Sequence, residues 1–145
     1  MGCMSGKNFK SRLEFLKKQK PNLKSWLIPK LRRLSIQWPM KNVALNEAKV
    51  FIEIGELKNG NPKFGLFYIC AECSRQGKEI PYHPRENIQV DHIEEIAGVN
   101  GFSDWDSYIN SLFCDLSGLQ VLCKPCHKEK TVKYVKSLDK VRKKR

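Results

Sequence analysis

Four of the six cysteines in this 145-residue chain fall into two C-x-x-C pairs, Cys70/Cys73 and Cys123/Cys126. Each pair can turn two thiolates onto one face of a tight knuckle, and two knuckles complete a tetrahedral S4 shell for Zn²⁺. No other feature constrains the fold as much, because it obliges residues far apart in sequence to meet at one point. Two disulfides would use the same residues, but the N-terminal MGCMSGKNFK lacks the apolar stretch of a secretory signal, so nothing supports an oxidising compartment. A dithiol redox motif fits two such pairs flanked by charged residues poorly. Cys3, near the terminus, carries no signal, and Cys114, following Phe113 at an expected helix end, reads as packing. Met1-Gly2-Cys3 touches a lipidation pattern without other membrane features beside it. No apolar run approaches the ~20 residues of a membrane span. The expectation is a cytoplasmic protein with no membrane partner.

Charge is distributed unevenly. Residues 1–41 hold 11 basic side chains against Glu14 alone, residues 42–123 hold 6 basic and 12 acidic, and residues 124–145 hold 10 basic and 2 acidic. The net charge of +12 points to nucleic acid as the acidic partner. The acidic middle suits a hydrated divalent cation, which needs carboxylates and neutral imidazoles, whereas the basic ends suit phosphate. Solvated helix faces and a frayed C-terminal VRKKR are the plainer account of the same charges.

The pattern predicts an α+β chain. Asn8 to Lys20 reads as a helix with Phe9, Leu13 and Leu16 on one stripe and a capping-box pair, Ser11 and Glu14, near its start. Pro21 stops it, and a second short helix is expected from Pro29 at a first-turn position to Ser35. Trp38-Pro39 makes a break before a third helix over Met40 to Lys49. VFIEIGEL and KFGLFYI flank Asn59-Gly60-Asn61-Pro62, a hairpin signal. Ile88 to Ile93 and Leu119 to Leu122 read as short strands, with a helix between them capped by Ser103 with Asp106 three residues on, and a last helix begins near Pro125. His83, between Tyr82 and Pro84, reads as a surface loop residue. The domain reading is a basic helical extension over 1–49, a zinc-stabilised domain over 50–139 and a basic tail over 140–145.

Three groups inside the cysteine frame carry chemistry. Asp91-His92 ends a strand, and His127 follows Cys126 on the first turn of the last helix. Clamping the knuckles brings strand end and helix start together in a β-β-α arrangement, with a carboxylate and two imidazoles converging. Phosphodiester hydrolysis needs a deprotonated water and a charge sink for the crowded phosphate and the leaving 3′-oxygen. His92 can serve as general base, since imidazole titrates near working pH. Asp91 and His127 can hold a hard divalent ion and leave room for water and phosphate oxygens.

The runs VDHIEEI, GFSDWDSYINSLFC and GLQVLCKPCHKEKT resemble the HNH endonucleases encoded by bacteriophages, and LRRLSIQWPMKNVALNEAKV resembles the leader of the same group. The resemblance covers roughly residues 27–131. It implies a ββα-metal (HNH) core with the four paired cysteines on a structural Zn²⁺, and DNA cleavage that depends on Mg²⁺, Mn²⁺ or Ni²⁺. It also implies His92 as general base and Asp91 with His127 on the catalytic ion, in a protein working in the cytoplasm of an infected bacterium. Many members carry Asn directly before the Leu-Gln of the second strand, where it orders the loop behind the base. Gly118 stands there in this chain, so that order must come from elsewhere, with Asp115 and Ser117 as candidates.

The leading expectation is therefore a metal-dependent HNH endonuclease acting on double-stranded DNA, as a monomer. The alternative is a zinc-stabilised DNA-binding protein without chemistry, which has no reason to assemble Asp91, His92 and His127. In either reading Lys17, Lys18, Arg32, Arg33, Lys124, Lys128 and Lys130 are the expected phosphate contacts. Neutralising Arg32 and Arg33 together should then lower the log–log salt slope of DNA affinity by about two, at ~0.9 per phosphate. A slope unchanged in a salt titration would assign that segment to packing.

Overall fold

Residues 6–18, 21–98 and 100–144 are described by the computed structural model, with side chains from residue 11 onward. Cys3, Lys20, Arg145 and the Phe9 side chain, all weighed above, lie outside the described parts. The chain divides into two units, Met1–Leu34 and Ser35–Arg145. In the first, helix α1 spans Gly6–Lys18, so Ser11 and Glu14 lie within it and do not form its start. Helix α2 spans Leu23–Ser35 with Pro29 inside it, so it begins six residues before the start expected from proline preference. Asn22 explains the difference. Its side-chain oxygen accepts the Ser25 N–H at 3.3 Å and its carbonyl accepts the Ser25 hydroxyl at 3.0 Å, a cap that starts the helix upstream. Proline at 29 then removes a single backbone bond, on a largely exposed helix where water can solvate the freed carbonyl.

The second unit opens with helix α3, Pro39–Glu47, with extended Trp38 as N-cap and proline at the first turn, where its missing N–H is not needed. It ends two residues before the expected Lys49, which instead begins strand β1, Lys49–Glu56. Strand β2, Pro62–Ile69, pairs antiparallel with β1 from Lys49↔Tyr68 to Glu56↔Pro62, with a bulge between Glu53 and Gly55. The turn uses Gly60 at φ +83° and closes through the Leu57 N–H on the Asn61 carbonyl at 2.7 Å. Helix α4, Ala71–Arg75, follows at once, and strand β3, Tyr82–His83, adds to β2 in the order β1-β2-β3.

A separate two-stranded ribbon pairs β4, Ile88–His92, with β5, Leu119–Cys123, in register from Ile88↔Cys123 to His92↔Leu119. Helix α6, Lys124–Lys143, leaves β5 without a linker and takes in most of the segment expected to be a basic tail. Helix α5, Trp105–Leu112, sits in the β4–β5 connection. Its cap is Asp104, not Ser103: the carboxylate accepts the Ser107 N–H and hydroxyl, each at 2.8 Å, and the Ser103 hydroxyl at 2.9 Å. A carboxylate can take all three donors where a hydroxyl cannot, and those bonds hold the Asp104 carboxyl below its ordinary range.

Ala44, Tyr68, Ile88, Leu119, Val121 and Leu122 form one buried cluster with the four paired cysteines. Because Ala44 comes from α3, that helix belongs to the second unit, and the division falls at 34/35, upstream of the residue-50 boundary expected from the sequence.

Gly118 has a packing reason. A Cβ there would lie 2.8 Å from the Cys114 sulfur and 3.1 Å from its Cβ. The order expected from an Asn side chain, or from Asp115 or Ser117, comes instead from backbone: the Gly118 carbonyl accepts the Ile93 N–H at 2.9 Å, directly after His92. The Trp38 indole N–H holds the Cys114 carbonyl at 2.8 Å, and Asp115 makes no side-chain cap bond. Gly118→Ala should therefore cost about 1–3 kcal/mol by overpacking, measured as a lower urea midpoint. Adding Cys114→Ala should recover part of that loss, whereas simple additivity of the two changes would refute the clash.

Candidate functional site

The knuckle residues meet. Cys70 follows β2 as the N-cap of α4, Cys73 lies within α4, Cys123 ends β5 and Cys126 lies in the first turn of α6, and their four sulfurs lie within 4.8 Å of one another, all buried. Cys73 Sγ is 3.7 Å from Cys123 Sγ and 3.6 Å from Cys126 Sγ, and none of the four is in a disulfide. A tetrahedral ion with bonds of about 2.3 Å separates its sulfurs by about 3.8 Å, so donor number, softness and spacing fit a metal ion. His83 corrects the loop reading. It lies half-buried in β3, where the Tyr68↔His83 pairing sets Nε2 3.6 Å from Cys73 Sγ, within hydrogen-bond reach of that sulfur. A two-residue strand separated from the cysteines by a loop leaves no periodic signal from which this contact could be read.

Burial sets the protons of this cluster against one another. Burial raises the Cys70 thiol, but hydrogen bonds from Cys73 and Cys123 outweigh it and leave Cys70 below the ordinary thiol value. Burial pushes the Cys73 thiol up to about 11. Cys126 is also raised, by burial and then by the neighbouring Cys123 and Cys73 sulfurs.

Asp91 and His127 also meet, where β4 faces the first turn of α6: His127 Nε2 is 3.6 Å from Asp91 Oδ1. The other carboxylate oxygen accepts Lys130 Nζ at 2.6 Å and Gln120 Nε2 at 3.4 Å. Lys130 also bonds the His92 carbonyl and lies 3.7 Å from Glu95 Oε1. A carboxylate and an imidazole are hard and borderline donors, suited to Mg²⁺, Mn²⁺ or Ni²⁺ with other positions left for water.

His92 lies on the other side of the ribbon, so only two of the three expected groups are in mutual contact. Its ring is buried, and Nε2 is 2.9 Å from the carbonyl of Leu112, the last residue of α5, where a helix leaves its carbonyls without intrahelical partners. A carbonyl only accepts, so Nε2 carries a proton, and in the neutral ring the lone pair is then on Nδ1. Nδ1 makes no hydrogen bond within the described residues, and none of their buried side-chain polar atoms is left without a partner, so Nδ1 is open to solvent. His92 lines a cavity of about 230 Å³ with Glu94, Glu95, Ser117 and Gly118.

Of the expected phosphate contacts, Lys17, Lys18, Arg32, Arg33, Lys124 and Lys128 are exposed, whereas Lys130 is turned onto Asp91. Lys41, which the sequence reading passed over, is half-buried in α3; burial lowers its pKa, and the charges of Cys114 and Asp91 pull it back up. Among the described residues no helix is long and apolar enough to cross a membrane. No family model, curated protein or solved structure matches this chain.

Metal uptake at the four cysteines should expel the protons that Cys73 and Cys126 hold, and should therefore weaken as pH falls. Calorimetry in buffers of different ionisation enthalpy reads the protons released. Cys73→Ser or Cys123→Ser should abolish the cooperative melt of the second unit. Metal-free protein with a normal melt would overturn this structural role.

Proposed function

We propose that this chain is an HNH-type endonuclease that hydrolyses DNA phosphodiester bonds with a divalent ion at Asp91 and His127. In this reading a structural Zn²⁺ on Cys70, Cys73, Cys123 and Cys126 holds the β4-β5-α6 unit as the ββα-metal core. One observation carries it: Asp91 and His127 face each other at 3.6 Å, and the next residue of β4, His92, donates its Nε2 proton to a backbone carbonyl from the opposite side of the ribbon.

The chemistry follows from that tautomer. His92 Nδ1 takes a proton from a water whose oxygen forms the new bond to phosphorus. The bond from phosphorus to the 3′-oxygen breaks, and that oxygen takes a proton from solvent. Leu112 holds the ring in the tautomer that can act as base, and losing such a base typically costs ~10²–10⁴ in rate. Asp91 and His127 would hold a divalent ion, Mg²⁺, Mn²⁺ or Ni²⁺, which would supply a sink for the charge that builds on phosphate and leaving oxygen. Lys124 and Lys128, exposed on α6, together with Arg32 and Arg33 on α2, pair with duplex phosphates. A phage-encoded enzyme in the cytoplasm of an infected bacterium remains the setting that the sequence resemblance suggests.

The ion pair of Asp91 with Lys130 favours a second reading, in which Asp91 is structural and the protein only binds DNA. Plasmid nicking with Mg²⁺, Mn²⁺ or Ni²⁺, with and without EDTA, separates the two. His92→Ala should abolish nicking while leaving zinc content and DNA binding nearly intact, and His92→Gln, which keeps a donor for the Leu112 carbonyl, should do the same. Asp91→Ala and His127→Ala should lose activity and regain part of it at higher divalent concentration. Wild-type protein that binds zinc and DNA yet never cleaves would leave the binding reading standing.

A further inference from the structure

We propose that the Lys130 ammonium is the resident cation of the Asp91 centre, one that a divalent ion must displace before it can take both carboxylate oxygens. This rests on the reading of Asp91 and His127 as ligands of that ion. Lys130 Nζ meets Asp91 Oδ2 at 2.6 Å, the His92 carbonyl, and Glu95 Oε1 at 3.7 Å. Those three groups are hard oxygen donors, the kind that a hydrated divalent cation prefers, and an ammonium has three hydrogens to offer them.

Helix geometry makes the competition direct. Lys130 follows His127 by three residues on α6, so the two side chains stand one turn apart on one face and approach the same carboxylate. Each takes a different oxygen: His127 lies 3.6 Å from Oδ1 and Lys130 2.6 Å from Oδ2. An ion held between Oδ1 and His127 would have an ammonium on the other oxygen of its own ligand, and the two positive charges repel. The pair is sheltered, with Lys130 25% and Asp91 16% exposed, so water screens this less than it would a surface pair. Gln120 Nε2, 3.4 Å from Oδ2, is a neutral donor that stays with the carboxylate and adds no such repulsion. Once displaced, the lysine is a point charge on a flexible four-carbon stem, free to pair with a phosphodiester beside the ion.

Mn²⁺ affinity, read by electron paramagnetic resonance on zinc-loaded protein without DNA, tests this. Lys130→Met should bind Mn²⁺ roughly ten- to a hundredfold more tightly than wild type, the range over which groups next to the ligands tune a metal. Lys128→Met, which removes the same charge from an exposed position on the same helix, should change it far less. Lys130→Arg should stay near wild type. On the wild-type protein, acetylation of Lys130 followed by mass spectrometry should speed up when Mn²⁺ is added, which keeps the inference open to refutation even if Lys130→Met folds poorly. Mn²⁺ bound by wild type, with Lys130→Met no tighter than Lys128→Met or with acetylation unchanged, would overturn this inference alone. Mn²⁺ bound by no variant, or bound equally well by His127→Ala, would overturn the metal-site reading and this inference with it.

Discussion

Four buried sulfurs within 4.8 Å of one another join parts of the second unit that are distant in sequence. Two come from the junction of β2 with α4 and two from the junction of β5 with α6, so the cluster ties a three-stranded sheet to a two-stranded ribbon. The apolar side chains buried with them are few: Ala44, Tyr68, Ile88, Leu119, Val121 and Leu122. An isolated two-stranded ribbon is at best marginal in water, and thiolates buried together repel unless a cation compensates them. A metal ion would answer both problems at once, by neutralising the sulfurs and by fixing the angle at which α6 leaves β5.

That angle matters because α6 carries consecutive duties. Cys126 is held in the sulfur cluster, His127 is the next residue, and Lys130 is one turn further on. Anchoring one end of that stretch therefore aims the other at Asp91, which the ribbon register sets opposite Gln120. His92 depends on a different support. Its ring is fixed from the other side, by the carbonyl that ends α5, and the backbone after it by the Gly118 carbonyl. The two halves of the site thus rest on separate scaffolds, one built on sulfur and one on helix-end and turn backbone.

Some of the basic charge read as a phosphate signal also has local work. Lys17 and Lys18 end α1, Arg32 and Arg33 end α2, and Lys140, Arg142 and Lys143 lie in the last turn of α6. Cations at helix C-termini offset the partial negative charge of unpaired carbonyls. Lys124 opens α6, where the dipole disfavours a cation, and Lys128 lies just past the first turn, so helix-end charge explains neither.

The features legible in the sequence were those whose physics is local. Asn59-Gly60 placed a hairpin because its turn needs positive φ, Trp38-Pro39 placed a helix start because proline lacks an N–H, and two C-x-x-C pairs required a common centre because thiolates at that spacing converge. The same local logic failed wherever a stronger donor or acceptor lay one step away. Asn22 capped α2 ahead of Pro29, and the carboxylate of Asp104 took the cap from Ser103. Four facts were decided by tertiary structure alone: His83 against Cys73, the Leu112 carbonyl on His92, Lys130 on Asp91 rather than in solvent, and a glycine at 118 because Cys114 fills the space a side chain would need. Sequence spacing says which groups a segment can present, but which acceptor each donor reaches depends on distances across the fold that only the packed chain sets.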